Sequence, residues 1–506
     1  MQGSAEKLHG RADATLRACC LLLVVLAAAA IAISWRWPFV GDEGILHYIV
    51  FLLGKGYRPY ADIKDVNLPG SYLLDWLVMH GLGADAVGEH LYDLLLCVIA
   101  GTAAVWSVWP DRRRAIAALS AMLLFVIVHL QDGLMEIGQR DLAMAVLALC
   151  GYAFIVRQWG RPSQRVFVFY TILGMISCIK PTLLVLAMMP WLVPELRTWF
   201  RRSVLRGALI ASAGFAIAPA LMVLWLCSRH ALGAFVQCFE DIEGMHTAIA
   251  HRGMGSVLYL ALSPGREVFL IGFACILMAR LPWTTERRLL AVGVAAGLVS
   301  CLVQGKGLPY HRYTFLMFAL LLLFEGFLQL TQMEGWREKA GLACMVLLTL
   351  KLAPVSLWRI DHFDRAAPFE EALSRQLVLD GATPQQSIQC LDTFAGCDNT
   401  LYRMRRVQST GFLYDCYLTM PGSLHREHYR KEFLQALEHT SPRIIVVTDQ
   451  PCFIQHQGYR WLTDWGAMGA YLNGNYRLAT DWHTTKTMRW GSRAETPPAF
   501  RIYIHR

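Results

Sequence analysis

About eleven stretches of this chain are apolar enough to demand a non-aqueous surrounding, and that constrains the fold more than any single motif. A helix crossing a bilayer needs about 20 such residues, because each backbone N–H and C=O must find its partner inside the segment. The first run, Leu16 to Ile33, follows Lys7, Arg11 and Arg17 and is closed by Trp35-Arg36-Trp37-Pro38. Its charge pattern resembles a signal peptide. No small-residue cleavage site closes it, however, and the tryptophans suit a membrane interface, so the sequence predicts an uncleaved span. Further spans are expected at 89–109, 115–130, 139–157, 166–179, 181–196, 207–227, 265–281, 289–304, 313–330 and 340–357. The shorter ones must be tilted or broken. A composition of 55% hydrophobic and 17% charged residues agrees, and it excludes collagen, coiled coil and disorder.

The net charge of +9 would suit a nucleic-acid partner if the basic residues were clustered on a soluble surface. Instead they recur in short loops between apolar runs: Arg112-Arg113-Arg114, then Arg157, Arg161 and Arg165, then Arg197, Arg201, Arg202 and Arg206, then Arg280, Arg287 and Arg288. These loops alternate, so the pattern encodes orientation, with the N-terminus and the arginine loops cytoplasmic. No nucleic-acid partner is expected. An odd number of spans then places the chain after about residue 357 on the opposite face. Four of the 14 cysteines lie there, Cys390, Cys397, Cys416 and Cys452. In an oxidising compartment they are compatible with two disulfides, in any of three pairings.

Two domains are expected: 1–357 in the membrane, with a first outward loop at 38–69, and a small α/β domain at 358–506. In the latter, Ser387 to Asp392, Arg443 to Thr448 and Phe500 to His505 read as strands, and Arg426 to His439 and Trp461 to Leu472 as helices. This tail has no glycine-rich phosphate loop, no metal-ligand spacing and no nucleophile elbow.

Ionisable groups at a membrane edge are costly and mark candidate sites. The first outward loop carries Asp42-Glu43, Lys55, Arg58, Asp62, Lys64 and Asp65. Ile45, Tyr48, Ile49, Leu52 and Leu53 recur at helical spacing behind the carboxylate pair, which describes an interfacial amphipathic helix. The pair has a second reading as a simple helix cap. Asp132, Glu136, Arg140 and Asp141 cluster in the next outward loop. Lys180-Pro181 interrupts an apolar stretch, and Gln304-Gly305-Lys306-Gly307-Leu308-Pro309-Tyr310-His311-Arg312 forms another outward turn. The chain has nine lysines against 38 arginines and its cytoplasmic loops use arginine. Orientation therefore leaves Lys55, Lys64, Lys180 and Lys306 unexplained. An anionic headgroup is one use for them, and snorkelling to lipid phosphate is the other. Glu240-Asp241-Ile242-Glu243, with His246 and His251, reads as a solvated amphipathic helix or else a cation or acceptor site.

Gly41-Asp42-Glu43 after the first span, Gly56-Tyr57-Arg58-Pro59-Tyr60 with Pro69-Gly70-Ser71-Tyr72, Gly138-Gln139-Arg140-Asp141, and Gln304 to His311 occur in the order found in one superfamily. Over residues 16–357 the chain resembles the GT-C glycosyltransferases, in the branch of protein O-mannosyltransferases, aminoarabinose transferases and bacterial lipopolysaccharide galacturonosyltransferases. The tail is similar to the soluble domain many of them carry. The resemblance implies that Asp42 is the catalytic carboxylate, Glu43 its partner and Asp141 the acidic residue of the second loop, a place Glu136 could also fill. It implies that Lys306 approaches the donor phosphate. Lys64 lies where relatives carry a phosphate-binding lysine before Pro-Pro, although here Asp65-Val66-Asn67-Leu68-Pro69 follows.

The implied reaction takes a sugar from a polyprenyl phosphate by inverting displacement. A carboxylate deprotonates the acceptor hydroxyl and positive charge stabilises the departing phosphate. Asp42 is then the base, with Lys306, Lys180, Lys64 and His311 toward the phosphate, and Glu136, Arg140 and Tyr310 as acceptor-side or second-loop candidates. No cofactor is certain and no metal ligands are assigned, a divalent cation remaining possible. The expected setting is a bacterial inner membrane with the tail periplasmic, and an envelope glycolipid, polysaccharide or protein as acceptor. A transporter or flippase of lipid-linked sugars, or a surface-glycan ligase or polymerase, is the alternative. The first has no need of the Asp42-Glu43 pair. The second would use Arg229, His230, His246, His251 and Arg252 between Cys227 and Pro264.

Overall fold

The computed structural model describes residues 2–38, 41–248, 250–362, 368–380, 387–393, 395–420, 424–450, 452, 458–485, 487–490 and 493–506, with the backbone alone at 2–11, 242–248, 368, 488–490 and 493–495. It is mainly helical, with a small sheet near the C-terminus. Among the described residues, seven helices are long and apolar enough to cross a membrane: Ala12–Ser34, Ala86–Val108, Arg112–Gln131, Pro162–Ile179, Val204–Ser228, Pro309–Leu330 and Trp336–Asp361. Two bent pairs, Pro181–Leu192 with Pro194–Arg202 and Met254–Leu262 with Arg266–Met278, raise the count to nine if each is one span.

The expected count of about eleven spans is not reached by length and apolar composition among the described residues. Every expected stretch is helical, but 181–196 turns by 86° within itself, and the helix of 265–281 is the second half of a pair that turns by 84° after Leu262. Pro194 starts one of the second halves and Pro264 lies in the break of the other. A proline ring has no N–H to give and clashes with the preceding turn, so a helix ends before it. The helix at 140–156 has 17 residues and is not among the seven.

The chain divides into two compact units. The first comprises Met1–Arg36, Glu89–Met222 and Arg252–Asp361. Its centre is the helix Tyr313–Leu330, buried at nearly every position. Glycines let its neighbour Thr285–Gln304 approach closely, since a Cβ at Gly293 would collide with Phe318 and one at Gly297 with the backbone of Phe315. Arginines in the first turns of its helices are paired: Arg287 Nε donates to Glu325 at 2.7 Å, and Arg113 meets Asp13 at 2.9 Å.

The second unit comprises Trp37–Gly88, Val223–His251 and His362–Arg506. Its strands are β1 (Ile388–Leu391), β2 (Ile444–Thr448), β3 (Tyr476–Trp482), β4 (Met488–Trp490), β5 (Arg493–Glu495) and β6 (Phe500–His505). β1, β2, β6 and β3 form one sheet in that order; β1 and β2 are parallel and the other pairs antiparallel. β4 and β5 pair separately. All five residues of β2 are buried, as expected of a strand covered on both faces. The three strands expected from sequence are β1, β2 and β6, and the helix Arg426–Thr440 is also as read. The expected helix at 461–472 is two, Arg460–Asp464 and Gly466–Asn475, separated at Trp465. Disulfides join Cys390 to Cys397 and Cys416 to Cys452.

Loops from early in the chain are built into this unit. Lys64 donates its backbone N–H to the Gly411 carbonyl at 2.9 Å, and the Gln408 N–H donates to the Tyr48 hydroxyl at 2.7 Å.

Candidate active site

The carboxylate pair opens the helix Asp42–Gly54. Gly41 is the N-cap, at φ 85°, and has no side chain to cap the first turn, in which Asp42 and Glu43 stand. The amphipathic expectation for this helix is corrected: Glu43 to Val50, Leu52 and Leu53 are all buried, with Glu43 3% exposed. The apolar stripe read from spacing is real, but its polar-facing side is covered as well. Gly44 is one reason, because it rests against Asn399 of the helix Cys397–Arg403, where a Cβ would stand 3.0 Å from the amide carbon.

Other charged groups of the same loop hold it in shape. Arg58 and Asp62 form an exposed pair at 2.8 Å, and the bonds from Arg58 hold the Asp62 carboxyl below its ordinary range. Asp65 is fully buried and accepts from the Tyr72 hydroxyl at 2.6 Å and from Asn67 at 2.9 Å. Lys64 forms an ion pair with Glu432 at 3.0 Å, so the lysine considered for phosphate links loop to tail in this structure. Lys55 lies over the Phe51 ring, 5.5 Å from its centroid. His47 and Asp75 meet at 2.9 Å, both buried.

In the first unit a lysine occupies a helix break. The helix Pro162–Ile179 ends at Lys180, which is extended (ψ 125°), and Pro181 begins a 3-10 turn. The Lys180 ammonium donates to Asp141 Oδ2 at 2.8 Å and to Gln304 Oε1 at 2.9 Å, with the Tyr310 ring 5.6 Å away. Asp141 lies in the first turn of the helix Arg140–Val156. Gln304 is braced in turn: its amide donates to Ser300 at 3.3 Å and Ser300 to Thr182 at 2.8 Å. The side chain of Lys180 is 20% exposed and that of Asp141 6%. Lipid snorkelling does not describe such a lysine.

Lys306 follows the helix Thr285–Gln304, between Gly305 (φ 66°) and Gly307 (φ 64°). Two successive excursions into the left-handed region need glycine on both sides. The Gly305 carbonyl accepts from the Arg252 N–H at 2.7 Å. Lys306 is 7% exposed and His311 5%, so neither reaches out to lipid. Arg312 holds both oxygens of Asp132, at 2.6 and 2.7 Å.

No protein-family model matches this chain, and no curated protein sequence does. Solved structures do. ArnT from Cupriavidus metallidurans bound to undecaprenyl phosphate is similar over 95% of this chain and 97% of its own, with a TM-score of 0.57 and 11% identity. ArnT from the same organism in the apo state gives 0.56 and 10% over the same shares. The arabinofuranosyltransferase AftD from Mycobacteria matches 96% of this chain with 40% of its own, at a TM-score of 0.51 and 13% identity. The chain shares the fold of these structures.

On this fold, Asp141, Lys180 and Gln304, which lie far apart in sequence, are brought together around the Lys180 ammonium. Asp42, Glu43 and Lys64 belong to the second unit, and Glu136, Arg140, Asp141, Lys180, Lys306, Tyr310 and His311 to the first. Of the acidic and histidine segment, Asp241 accepts from the Tyr429 hydroxyl at 3.1 Å, while the side chains of Glu243 and His246 lie outside the described residues. Sequence reasoning missed Asp93 and His129, which sit buried in two apolar helices and hydrogen bond to each other. The signal was present: an ionisable side chain in each of two spans is costly and needs a partner.

Proposed function

We propose that this chain is a membrane glycosyltransferase of the GT-C superfamily that moves a sugar from a polyprenyl phosphate to an envelope acceptor, which is a glycolipid, polysaccharide or protein. The observation that carries the reading is the Lys180 site, a cation presented at a helix break and fixed by Asp141 and Gln304. It stands on a fold shared with ArnT, which was captured with undecaprenyl phosphate. In the reaction, an acceptor hydroxyl oxygen bonds to the anomeric carbon while the bond from that carbon to the phosphate oxygen breaks, with inversion. The electron pair leaves with the phosphate and the hydroxyl proton passes to Asp42, with Glu43 orienting it. Lys306, Lys180 and His311 neutralise the phosphate, and positive charge aimed at a departing oxyanion is among the strongest sources of rate open to such a site. Asp141 serves by aiming Lys180; Glu136, Arg140 and Tyr310 are second-loop and acceptor-side groups. Lys64 is kept as a donor-side group that would have to leave Glu432 to act.

The setting proposed is a bacterial inner membrane, N-terminus cytoplasmic and tail periplasmic. The two disulfides of the tail support an oxidising compartment for it. Mass spectrometry of envelope glycans and polyprenyl phosphates, with and without the gene, tests the reading. The expected result is one missing sugar together with an accumulated lipid-linked donor. Unchanged glycans and unchanged donor pools would refute it.

A further inference from the structure

Four buried side chains of the first unit form one hydrogen-bonded line. Asp93, from the helix Ala86–Val108, receives His129 Nε2 at 3.1 and 3.0 Å on its two oxygens. His129 Nδ1 is 2.7 Å from the Tyr313 hydroxyl, which is 3.2 Å from Glu136 Oε2. Asp93 and Glu136 are 4% and 5% exposed, and the two rings between them not at all. Both ends of the line touch the same loop, because Asp93 also accepts the Gly138 N–H at 3.2 Å. That loop leads into Arg140 and Asp141. Its start is fastened to the turn before Tyr313 by the two bonds from Arg312 to Asp132.

The line admits two proton arrangements. Asp93 offers only acceptors when ionised, so Nε2 of His129 carries a proton in both. In the first, His129 is an imidazolium: its Nδ1–H donates to the Tyr313 oxygen, and the Tyr313 O–H donates to a Glu136 carboxylate. In the second, Tyr313 O–H donates to a neutral Nδ1, and a protonated Glu136 donates to the Tyr313 oxygen. The arrangements contain the same number of protons and the same net charge, so passing between them buries no additional charge. Among the described residues, the charged and titratable groups around the line include His90 and Cys97 beside Asp93, and Asp132 and Arg312 beside Tyr313 and Glu136. Arg312 is matched by Asp132.

We propose that Asp93, His129 and Tyr313 form a buried proton relay that ends at Glu136 and sets whether it is a carboxylate or a carboxylic acid. They are positioning residues, acting through Glu136 and the loop that carries Asp141. The consequence for catalysis rests on the transferase reading above; the relay itself does not.

Infrared difference spectra of the full-length protein in detergent, taken across pH, read the relay without any activity. Glu136→Gln identifies the carboxyl band. Tyr313→Phe keeps the ring between Phe125 and His129 and removes only the hydroxyl. Losing that donor should raise the Glu136 midpoint by about one to two pH units, the worth of a hydrogen bond to a charged group. Asp93→Asn, which withdraws the charge favouring imidazolium, should raise it as well. A purely structural role would lower thermal stability and leave the midpoint in place, and an unmoved midpoint in both variants overturns the relay. Undecaprenyl phosphate binding, followed by tryptophan fluorescence in the same samples, is the separate control. Failure of the wild-type protein to bind it would count against the donor reading while the midpoints still decide the relay.

Discussion

The contact between Lys180 and Asp141 turns two candidate residues into one unit, and a double-mutant cycle on transfer rate measures whether they act as one. At 2.8 Å, with an effective dielectric near 20, the gross attraction between the two charges is about 6 kcal/mol. Both groups are shielded, so salt does little to weaken it. Lys180→Met removes the cation proposed to face the leaving phosphate and should lower kcat/KM by about 100-fold to 1000-fold. Asp141→Asn leaves Lys180 with Gln304 and a neutral amide, so the lysine keeps its charge but loses its aim; a loss of about 10-fold to 100-fold is expected. If Asp141 works only through Lys180, the double variant should be no worse than Lys180→Met within about threefold. Stability should show the same sign of coupling. Lys180→Met strands the Asp141 carboxylate, at a cost of about 3–5 kcal/mol, and the added Asp141→Asn should recover part of it. The assay is transfer of labelled sugar from its polyprenyl phosphate by purified protein, with thermal inactivation measured in parallel. Losses that multiply in the double variant would refute the coupling and give Asp141 a catalytic role of its own.

Asp42→Asn should retain expression and lipid-phosphate binding while lowering transfer by about 100-fold to 10000-fold, as removal of a general base does; because Gly41 and not Asp42 is the N-cap, near wild-type transfer would move the base to Glu43. The tail should be less stable at pH 8 than at pH 5. Burial raises the carboxyls of Glu370 and Asp415 to about 7 each, outweighing the bonds from Asn399 and Arg403 to the first and from Thr393 and Cys452 to the second. The folded state therefore binds more protons than the unfolded one between about pH 4 and 7, and stability falls as pH rises through that window. Thermal melts of the full-length protein across pH should show the slope in wild type and a flatter one in Glu370→Gln with Asp415→Asn; equal slopes would refute it.

The large apolar runs, the strands β1, β2 and β6 and the lysines out of place are legible in the sequence, because each rests on local pattern. What escapes it is decided by distant partners. Spacing marks Ile45, Tyr48 and Ile49 as one face of a helix, but nothing nearby announces that Asn399 covers another. The bends after Leu192 and Leu262 do have local prolines, and hydropathy averaging smooths over them. Lys180 and Asp141 each stand out by charge, while their contact depends on how the helices pack. His129 and Asp93 are isolated exceptions within apolar runs, and only the fold pairs them.

The second unit is assembled from three separated stretches of chain, and this has a consequence for biosynthesis. The hydroxyl of Tyr48 waits for the backbone of Gln408, 360 positions later. At about 5–20 residues per second, that interval is roughly 20 to 70 seconds. Throughout it the helix Asp42–Gly54 has been made but lacks the tail segments that later cover it. A ribosome that stalls before the last hundred or so codons therefore releases a chain whose membrane helices can be complete while an apolar segment, with its two leading carboxylates, stays open to chaperones, proteases and lipid. The tail acts as a completion signal, since its arrival is what closes the first loop.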